Sequence, residues 1–265
     1  MLGPRIVVAV VGIPLLLGAA CLGGLWLLLL VALLTVIGLA EFYHLAARVQ
    51  LKPLLPVGLA GGLLLVFLAY LNKEMVAWLA TALTMGMLLV FLVAFPRIGL
   101  NDLAITLLGV WYVGGLLAYL LLLRFLPAGP AALFLTFLLI WANDSGAYFC
   151  GRIFGRRHPW PILSPGKTWA GAVGGLLVTV AVAVIAGPWL LPVLNRWLLA
   201  GLAVLASLAA QAGDLIESGF KRQAGVKDSG WLLPGHGGIL DRFDSLLLAA
   251  PVVYYYLAFF LTKME

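Results

Sequence analysis

The sequence predicts an all-α fold of the polytopic integral membrane class. The chain has 265 residues, of which 64% are hydrophobic and 10% are charged, and its mean hydropathy is +1.14. A soluble domain is about 45–50% apolar and about 25% charged, so this chain carries more apolar surface than one core can bury. Since a membrane-spanning helix needs about 20 residues, about nine transmembrane helices would use most of the chain.

The predicted helices are apolar runs that glycine, proline or charged residues separate. In chain order they cover residues 5–20, 23–44, 54–72, 75–95, 102–125, 130–150, 169–192, 196–217 and 243–262. Only the Gly23-Gly24 pair divides the first run from the second, where glycine favours a turn because it lacks a side chain. We find no repeat, low-complexity tract or linker, and therefore expect a single transmembrane domain over residues 1–265.

The distribution of Lys and Arg predicts the orientation of these helices. With nine spans, twelve of the sixteen basic residues fall on the side of the N-terminus and four on the other. Cytosolic loops carry the excess of positive charge, so we place the N-terminus and the two longest polar loops, 151–168 and 218–242, in the cytosol. The net charge of +6 then reflects topology, and no nucleic-acid partner is expected.

Glu41, His44 and Arg48 close the second predicted helix at helical spacing. Polar residues at a helix end cost little, because their heads reach water. We expect these three side chains to form a solvated turn at the membrane interface.

Acidic residues inside the predicted helices mark the candidate site. A charge at the middle of a membrane helix costs about 2.5–3.5 kcal/mol on insertion scales, so it needs a partner or a use. Asp144 ends the sixth run, and Asp214 and Glu217 lie near the end of the eighth. All three are predicted at the cytosolic ends of their helices.

One face of the eighth helix brings acid, hydroxyl and base together, provided that the helix continues to Arg222. The residues at i, i+3, i+4 and i+7, the spacing of one helical face, are Asp214, Glu217, Ser218 and Lys221. The pattern fits a binding face. It also fits an ion pair whose charged heads reach the interface and lower the cost of insertion.

The segment from Ser218 to Asp244 has a composition suited to a nucleotide and a metal ion. Paired carboxylates hold a hard cation such as Mg²⁺, which also bridges substrate phosphates. Gly237-Gly238 allows backbone N–H groups to approach an anion closely. The cations that would neutralise phosphate charge are Lys221, Arg222 and Lys227.

Three residues of this segment have competing interpretations. Asp241 and Asp244 open the ninth predicted helix, where an acid also serves as an ordinary cap. We interpret Asp241 as a metal ligand and leave Asp244 open between capping and metal binding. His236 lies among the phosphate-type residues, and either contacts nucleotide or phosphate or bonds a loop carbonyl.

The loop 151–168 supplies further cations. Lys167 is a candidate for phosphate binding, because it lies in a polar loop on the same side as the acids. Arg152, Arg156 and Arg157 fit anionic lipid head groups, but the positive-inside topology explains them more simply.

These residues resemble the signature of the phosphatidate cytidylyltransferases, also called CDP-diacylglycerol synthases. That pattern has a Ser, then Lys-Arg, Lys-Asp, His-Gly-Gly and finally Asp-Arg-x-Asp, and every spacing agrees. It falls here on Ser218, Lys221-Arg222, Lys227-Asp228, His236-Gly237-Gly238 and Asp241-Arg242-Phe243-Asp244. A second similar region covers Asp144, Gly146, Ser164, Pro165, Lys167 and Thr168. So long a composite pattern is specific, and the resemblance covers the whole chain, weakly before about residue 140.

The resemblance implies an enzyme that transfers CMP from CTP to phosphatidate, with CDP-diacylglycerol and pyrophosphate as products. It implies a multi-pass protein of the bacterial cell membrane with its site at the cytosolic face, and it is compatible with a homodimer. Residues 1–130 would supply N-terminal helices, and 131–265 the catalytic helices and cytosolic loops.

The resemblance also implies Mg²⁺ as cofactor, with Asp214 and Asp241 as its ligands and Asp144 and Asp244 as further candidates. The expected catalytic residues are Asp214, Asp241, Lys221 and His236. Substrate binding would fall to Ser218, Arg222, Lys227, Gly237, Gly238 and Lys167.

Three other functions fit parts of the pattern. A secondary transporter also buries carboxylates at interrupted helices, but near the membrane midplane, whereas these charges gather at one surface. An intramembrane aspartyl protease would need glycine where Gln211 stands. A lipid-alcohol kinase that uses CTP is the nearest alternative among enzymes.

Overall fold

The computed structural model describes residues 3–71, 75–230 and 237–261, and the regular elements of this part of the chain are helices. They are α1 (Gly3–Leu22), α2 (Gly24–Arg48), α3 (Leu55–Leu71), α4 (Met75–Ala94), α5 (Leu100–Gly109), a π-helical turn (Val110–Gly115), α6 (Leu116–Arg124), α7 (Gly129–Phe154), α8 (Trp169–Leu190), α9 (Arg196–Gln223) and α10 (Leu240–Leu261). The predicted all-α class is therefore confirmed for these residues.

Each of the nine predicted runs contains helix. Among the described residues, six segments are long and apolar enough to cross a membrane, namely α2, Leu100–Arg124, α7, α8, α9 and α10. The molecule is therefore consistent with a membrane protein. The count of nine spans and the cytosolic N-terminus stay predictions.

The fifth run differs from the prediction, because a π-helical turn separates α5 from α6. Within that turn the backbone of Gly114 lies against α3, so that a Cβ atom there would be 2.8 Å from the Cα of Gly62. A side chain at Gly114 would push the two segments apart, whereas one at Gly62 would overlap Leu39 of α2. These close approaches explain two glycines that the hydropathy pattern leaves unexplained.

The helices form two compact units. Unit 1 comprises Met1–Leu122 and Phe220–Arg242, and unit 2 comprises Leu123–Gly219 and Phe243–Glu265. The division falls within α6, α9 and α10, so each unit receives parts of helices that continue into the other. The two units are described separately below.

Unit 1 is organised around the C-terminal half of α2. The Tyr43 hydroxyl donates a hydrogen bond to the carbonyl of Thr106 in α5 at 2.8 Å. The ring of Phe42 packs against Tyr112 and Phe220, with centroid distances of 5.7 and 5.5 Å. These aromatic contacts fix the end of α9 against α2 and the π-helical turn.

Unit 2 is organised around close packing of α7 on α8. A Cβ atom on Gly146 would lie 2.9 Å from the carbonyl oxygen of Gly174, and one on Gly175 would lie 2.8 Å from that of Asn143. Glycine at these positions lets the two helix backbones approach. The first turn of α8 is capped by Thr168, whose hydroxyl accepts the N–H of Gly171 at 3.0 Å.

Candidate active site

In unit 1 the carboxylate of Asp241 is held by four donated hydrogen bonds. Its Oδ1 accepts from Nζ of Lys221 at 2.6 Å. Its Oδ2 accepts from the backbone N–H and the hydroxyl of Ser229 at 2.8 and 2.9 Å, and from the N–H of Gly238 at 2.8 Å. The side chains of Asp241 and Lys221 are only 6% and 14% exposed. Two residues predicted as catalytic thus form a buried ion pair.

The turn before α10 can hold this carboxylate only because Gly237 has no side chain. Gly237 has a φ of 79°, in the left-handed region that favours glycine. A Cβ atom there would overlap Oδ2 of Asp241. The N–H of the next residue, Gly238, which was predicted to approach a phosphate, donates to Asp241 instead.

The remaining predicted residues of this segment lie around the pair. Arg222 lies in the last turn of α9, and Lys227 and Asp228 follow in the loop. All three residues are exposed. His236 lies outside the described residues. The segment therefore combines one buried acid–base pair with cationic side chains at the surface.

Unit 2 contains a cavity of about 440 Å³ lined by residues from α7, α8, α9 and the 155–168 loop. This volume is within the usual range of small-molecule sites, about 300–1,000 Å³. The lining contains the charged residues Asp144, Asp214, Arg152 and Lys167, together with His158 and Tyr148. Two predicted metal ligands and the predicted phosphate-binding lysine therefore share one cavity.

Asp214 forms an ion pair across this cavity. Its Oδ2 lies 2.9 Å from Nζ of Lys167, and the two side chains are 39% and 24% exposed. The hydroxyl of Ser218 donates to Oδ1 of Asp214 at 3.4 Å. Because α9 continues to Gln223, the predicted helical face from Asp214 to Lys221 is formed.

Asp244 lies on the helix that crosses α9 at the level of Asp214. A Cβ atom on Gly213 would overlap the carbonyl oxygen of Asp244, so the two backbones are in contact there. The carboxylate of Asp244 accepts the N–H of Ser245 at 2.6 Å. Since α10 begins at Leu240, Asp244 lies beyond its first residues, and Asp241 is the acid of its first turn.

Comparison with known proteins identifies the family. Residues 3–260 match the model of the cytidylyltransferase family. The chain belongs to the cytidylyltransferase family. It is 34% identical to the phosphatidate cytidylyltransferase of Staphylococcus epidermidis over 256 residues, which cover 94% of this chain and 96% of that protein.

Two further relatives carry the same description. The phosphatidate cytidylyltransferase of Staphylococcus haemolyticus is 34% identical over 256 residues, with 94% and 96% of the two chains covered. That of Staphylococcus aureus is 41% identical over 157 residues, which cover 59% of this chain and 60% of the relative. The resemblance drawn from the signature is thereby confirmed.

The carboxylates of this cytidylyltransferase are suited to a divalent cation by their chemistry. Asp214 and Asp241 each hold a lysine ammonium, at 2.9 and 2.6 Å, so a positive charge already lies where a cation would bind. Mg²⁺ prefers such carboxylate oxygens and keeps several waters. Within the described ranges no three His, Cys, Asp or Glu side chains form a ready cluster.

A polar network that includes lining residues of the cavity was not predicted. Oδ1 of Asn143 accepts from the Ser207 hydroxyl at 2.7 Å and from Nε2 of Gln211 at 3.2 Å. Gln211 also donates to the carbonyl of Ala172 at 3.1 Å, and Nδ2 of Asn143 donates to Asp144 at 3.2 Å. The network joins α7, α8 and α9 and orients Asp144. Its amides and hydroxyls are uncharged, so the pattern of charged residues in the sequence does not predict them.

The interpretation of Glu41 as part of a solvated turn is wrong. Glu41 is only 8% exposed. Its carboxylate accepts hydrogen bonds from the N–H groups of Ile239 and Leu240, both at 2.9 Å. His44 and Arg48 are exposed and bonded to each other at 3.3 Å. A charge in an apolar helix is costly, which also marks Glu41 as a residue that needs a partner. Its position beside His44 and Arg48 led instead to the prediction of a solvated turn.

Proposed function

We propose that this cytidylyltransferase transfers CMP from CTP to phosphatidate and releases CDP-diacylglycerol and pyrophosphate. The observation that carries the proposal is the buried Asp241–Lys221 pair, which lies inside the signature segment with Arg222 and Lys227 exposed beside it. An acid fixed among cations suits a triphosphate. The names of the relatives, phosphatidate cytidylyltransferases of three Staphylococcus species, support the same substrates.

The reaction needs positioning more than a strong base. A phosphate oxygen of phosphatidate attacks the α-phosphorus of CTP in line, and a new P–O bond forms. The bond between the α-phosphorus and the bridging oxygen breaks, and its electron pair leaves with pyrophosphate. Because a phosphate monoester is already a competent nucleophile, catalysis rests on orientation and charge stabilisation.

We assign the cationic side chains to the two substrates according to whether they lie in the signature segment or in the unit 2 cavity. Lys221, Arg222 and Lys227 would balance the triphosphate. Lys167 and Arg152 line the unit 2 cavity and would hold the phosphate of the lipid. His236 is kept as a catalytic candidate from the resemblance alone, and Ser218, Gly237 and Gly238 as substrate-binding candidates.

Mg²⁺ is proposed as the cofactor, with Asp214 and Asp241 as its ligands and Asp144 and Asp244 as further candidates. When bound, the ion would neutralise charge on the phosphates and on the departing pyrophosphate. Lys167 and Lys221 would bind phosphate oxygens of the substrates.

The protein is proposed to work in the bacterial cell membrane with its site at the cytosolic face. Apolar side chains flank the cavity residue Arg152: Phe149 and Ile153 are 61% and 68% exposed. Exposed apolar groups beside a cation suit a lipid whose acyl chains stay in the bilayer while its phosphate enters the cavity. A homodimer is kept as an expectation from the resemblance.

Purified protein incubated with phosphatidate and CTP labelled in the α-phosphate tests the proposal. We expect the label in the lipid fraction and unlabelled pyrophosphate in the water phase. With CTP labelled in the γ-phosphate instead, label in the lipid would indicate a kinase and overturn the proposal. Absence of lipid label from both forms of CTP would also overturn it and favour a transporter.

A further inference from the structure

Glu41 of α2 is the buried acid of unit 1 that the proposed reaction does not use. Glu41 is 8% exposed, although burying an unpaired carboxylate away from water costs a large amount of free energy. The structure compensates it with hydrogen bonds from residues that follow almost two hundred positions later. These hydrogen bonds connect α2 to the segment that precedes Asp241, so they do more than stabilise α2.

The two oxygens of Glu41 bind the start of α10. Oε1 accepts the N–H of Ile239 and Oε2 accepts the N–H of Leu240, both at 2.9 Å. The first N–H groups of a helix have no partner within the helix, and a carboxylate near them also gains from the helix dipole. Glu41 therefore caps α10 from another helix.

The same carboxylate is connected to Asp241 through one hydroxyl. Oγ of Ser229 lies 3.2 Å from Oε2 of Glu41 and 2.9 Å from Oδ2 of Asp241. A hydroxyl has a single hydrogen to donate, and the shorter distance favours Asp241. Ser229 is buried, at 2% exposure, so this contact is shielded from water.

Two glycines of the signature segment make room for Glu41. A Cβ atom on Gly230 would overlap its Oε1, and one on Gly238 would overlap its Oε2. Glu41 thus contacts described residues on both sides of the stretch 231–236. Its carboxylate leaves no room for a side chain at Gly230 or at Gly238.

We propose that Glu41 is a positioning residue for CMP transfer: through its contacts with residues 229–230 and 238–240 it sets Asp241 and Lys221 in place. The inference rests on the proposed function. Glu41 touches neither substrate nor metal in this scheme. Its effect passes through the backbone N–H groups of Ile239 and Leu240 and through Ser229.

Glu41→Gln tests this inference, with His44→Gln one turn further along α2 as the matched control. The amide of glutamine keeps the size of the side chain but removes the charge and presents an NH₂ group to a backbone donor. We expect the KM for CTP to rise about tenfold, since hydrogen bonds to a charged acceptor are stronger than those to a neutral one. His44 is exposed, and its variant should match the wild type.

Amide hydrogen exchange supplies a measurement that needs no turnover. In Glu41→Gln we expect residues 237–242 to exchange about tenfold faster, while α2 itself keeps its protection. An unchanged KM with only a smaller active fraction, or unchanged exchange at 237–242, would overturn the positioning role. If the wild type makes no CDP-diacylglycerol, the proposed function fails, yet the exchange comparison still tests the anchor.

Ser229→Ala covers the case in which Glu41→Gln does not fold. It removes the hydroxyl between the two carboxylates and leaves the N–H of residue 229 bonded to Asp241. We expect the KM for CTP to rise by a few fold, less than for Glu41→Gln. A KM equal to that of the wild type would contradict the connection between Glu41 and Asp241.

Discussion

At the scale of single residues, each of the two central acids is found with a lysine. Nζ of Lys221 lies 2.6 Å from Asp241, and Nζ of Lys167 lies 2.9 Å from Asp214. The Asp241–Lys221 pair is buried and the Asp214–Lys167 pair is partly exposed, and neither kind of ion pair contributes much net stability. We therefore keep the proposal that both pairs serve cation and phosphate binding.

Asp214→Asn and Asp241→Asn should each lower the rate of CMP transfer by at least about a hundredfold, since each removes a proposed metal-ligand charge. Asparagine has nearly the same shape, so Asp214→Asn should remain folded in detergent, whereas Asp241→Asn should also lose stability because it breaks the buried pair with Lys221. The rate at saturating CTP and Mg²⁺ is the measurement. Near-normal turnover in either variant would remove that acid from the mechanism.

Asp102→Asn is the matched control for these two variants. Asp102 accepts the N–H groups of Gly99 and Lys52 at 3.1 and 2.8 Å and caps α5. Its loss should cost about 1 kcal/mol of stability and leave the dependence of the rate on Mg²⁺ unchanged.

Lys167→Met should raise the KM for phosphatidate about tenfold, since one charge-assisted bond to the lipid phosphate is lost. It should also lower the Mg²⁺ concentration at half-maximal rate, because Asp214 no longer has a competing ammonium. Steady-state rates over both concentrations measure the two effects. An unchanged KM for phosphatidate would contradict the assignment of Lys167.

The sequence predicted the charged half of the candidate site and missed the uncharged half. Asp214, Asp241 and Lys221 stood out because charges are rare in this chain. Ser229 and Asn143 did not, because a hydroxyl or an amide has no distinctive spacing and its role appears only when distant helices meet. Glu41 was misjudged because it lies near polar residues at a helix end.

At the scale of elements, the apolar runs placed every predicted helix but not the polar helix ends. Helix α7 continues to Phe154, α9 continues to Gln223 and α10 begins at Leu240, each beyond its apolar run. Hydropathy predicts which residues of a helix contact lipid. The backbone hydrogen bonds of the same helix can continue past the membrane into water, so the helix extends beyond its apolar run. The π-helical turn at Val110–Gly115 depends on packing against α3 and has no counterpart in composition.

Gly237→Ala tests the turn that holds Asp241. The substitution meets two obstacles, a positive φ of 79° and overlap with Oδ2 of Asp241. We expect CMP transfer to fall at least about tenfold, with a loss of stability of about 1–3 kcal/mol. Activity and thermal unfolding of the purified variant are the measurements.

Gly225→Ala is the control for backbone strain alone. Gly225 has a φ of 69°, but a Cβ atom there meets nothing within 4 Å. It should share the loss of stability and keep its rate. Equal losses of activity in both variants would show that strain, rather than the displacement of Asp241, is responsible.

At the scale of the whole molecule, the account depends on all the chemistry lying at one membrane surface. Arg196 and Asp214 belong to the same helix, α9, and are separated by about 27 Å at the usual rise of 1.5 Å per residue. This is close to the thickness of the hydrocarbon core, about 30 Å. Arg196 is thus expected at the opposite surface.

Arg196→Ala should therefore leave CMP transfer nearly unchanged, within about twofold, because surface substitutions away from special features have small effects. The assay is the same α-labelled CTP reaction in reconstituted membranes. A large loss of activity would contradict either the one-sided site or the predicted topology.

Binding of Mn²⁺ in the presence of CTP tests whether Asp214 and Asp241 hold a metal ion, since Mn²⁺ replaces Mg²⁺ at oxygen sites and its spectrum reports the bound ion. We expect the wild type to bind the ion with CTP, and Asp214→Asn and Asp241→Asn each to weaken this binding by at least about tenfold. Equal binding by the wild type and either variant would show that the two acids do not jointly hold a metal-bound triphosphate.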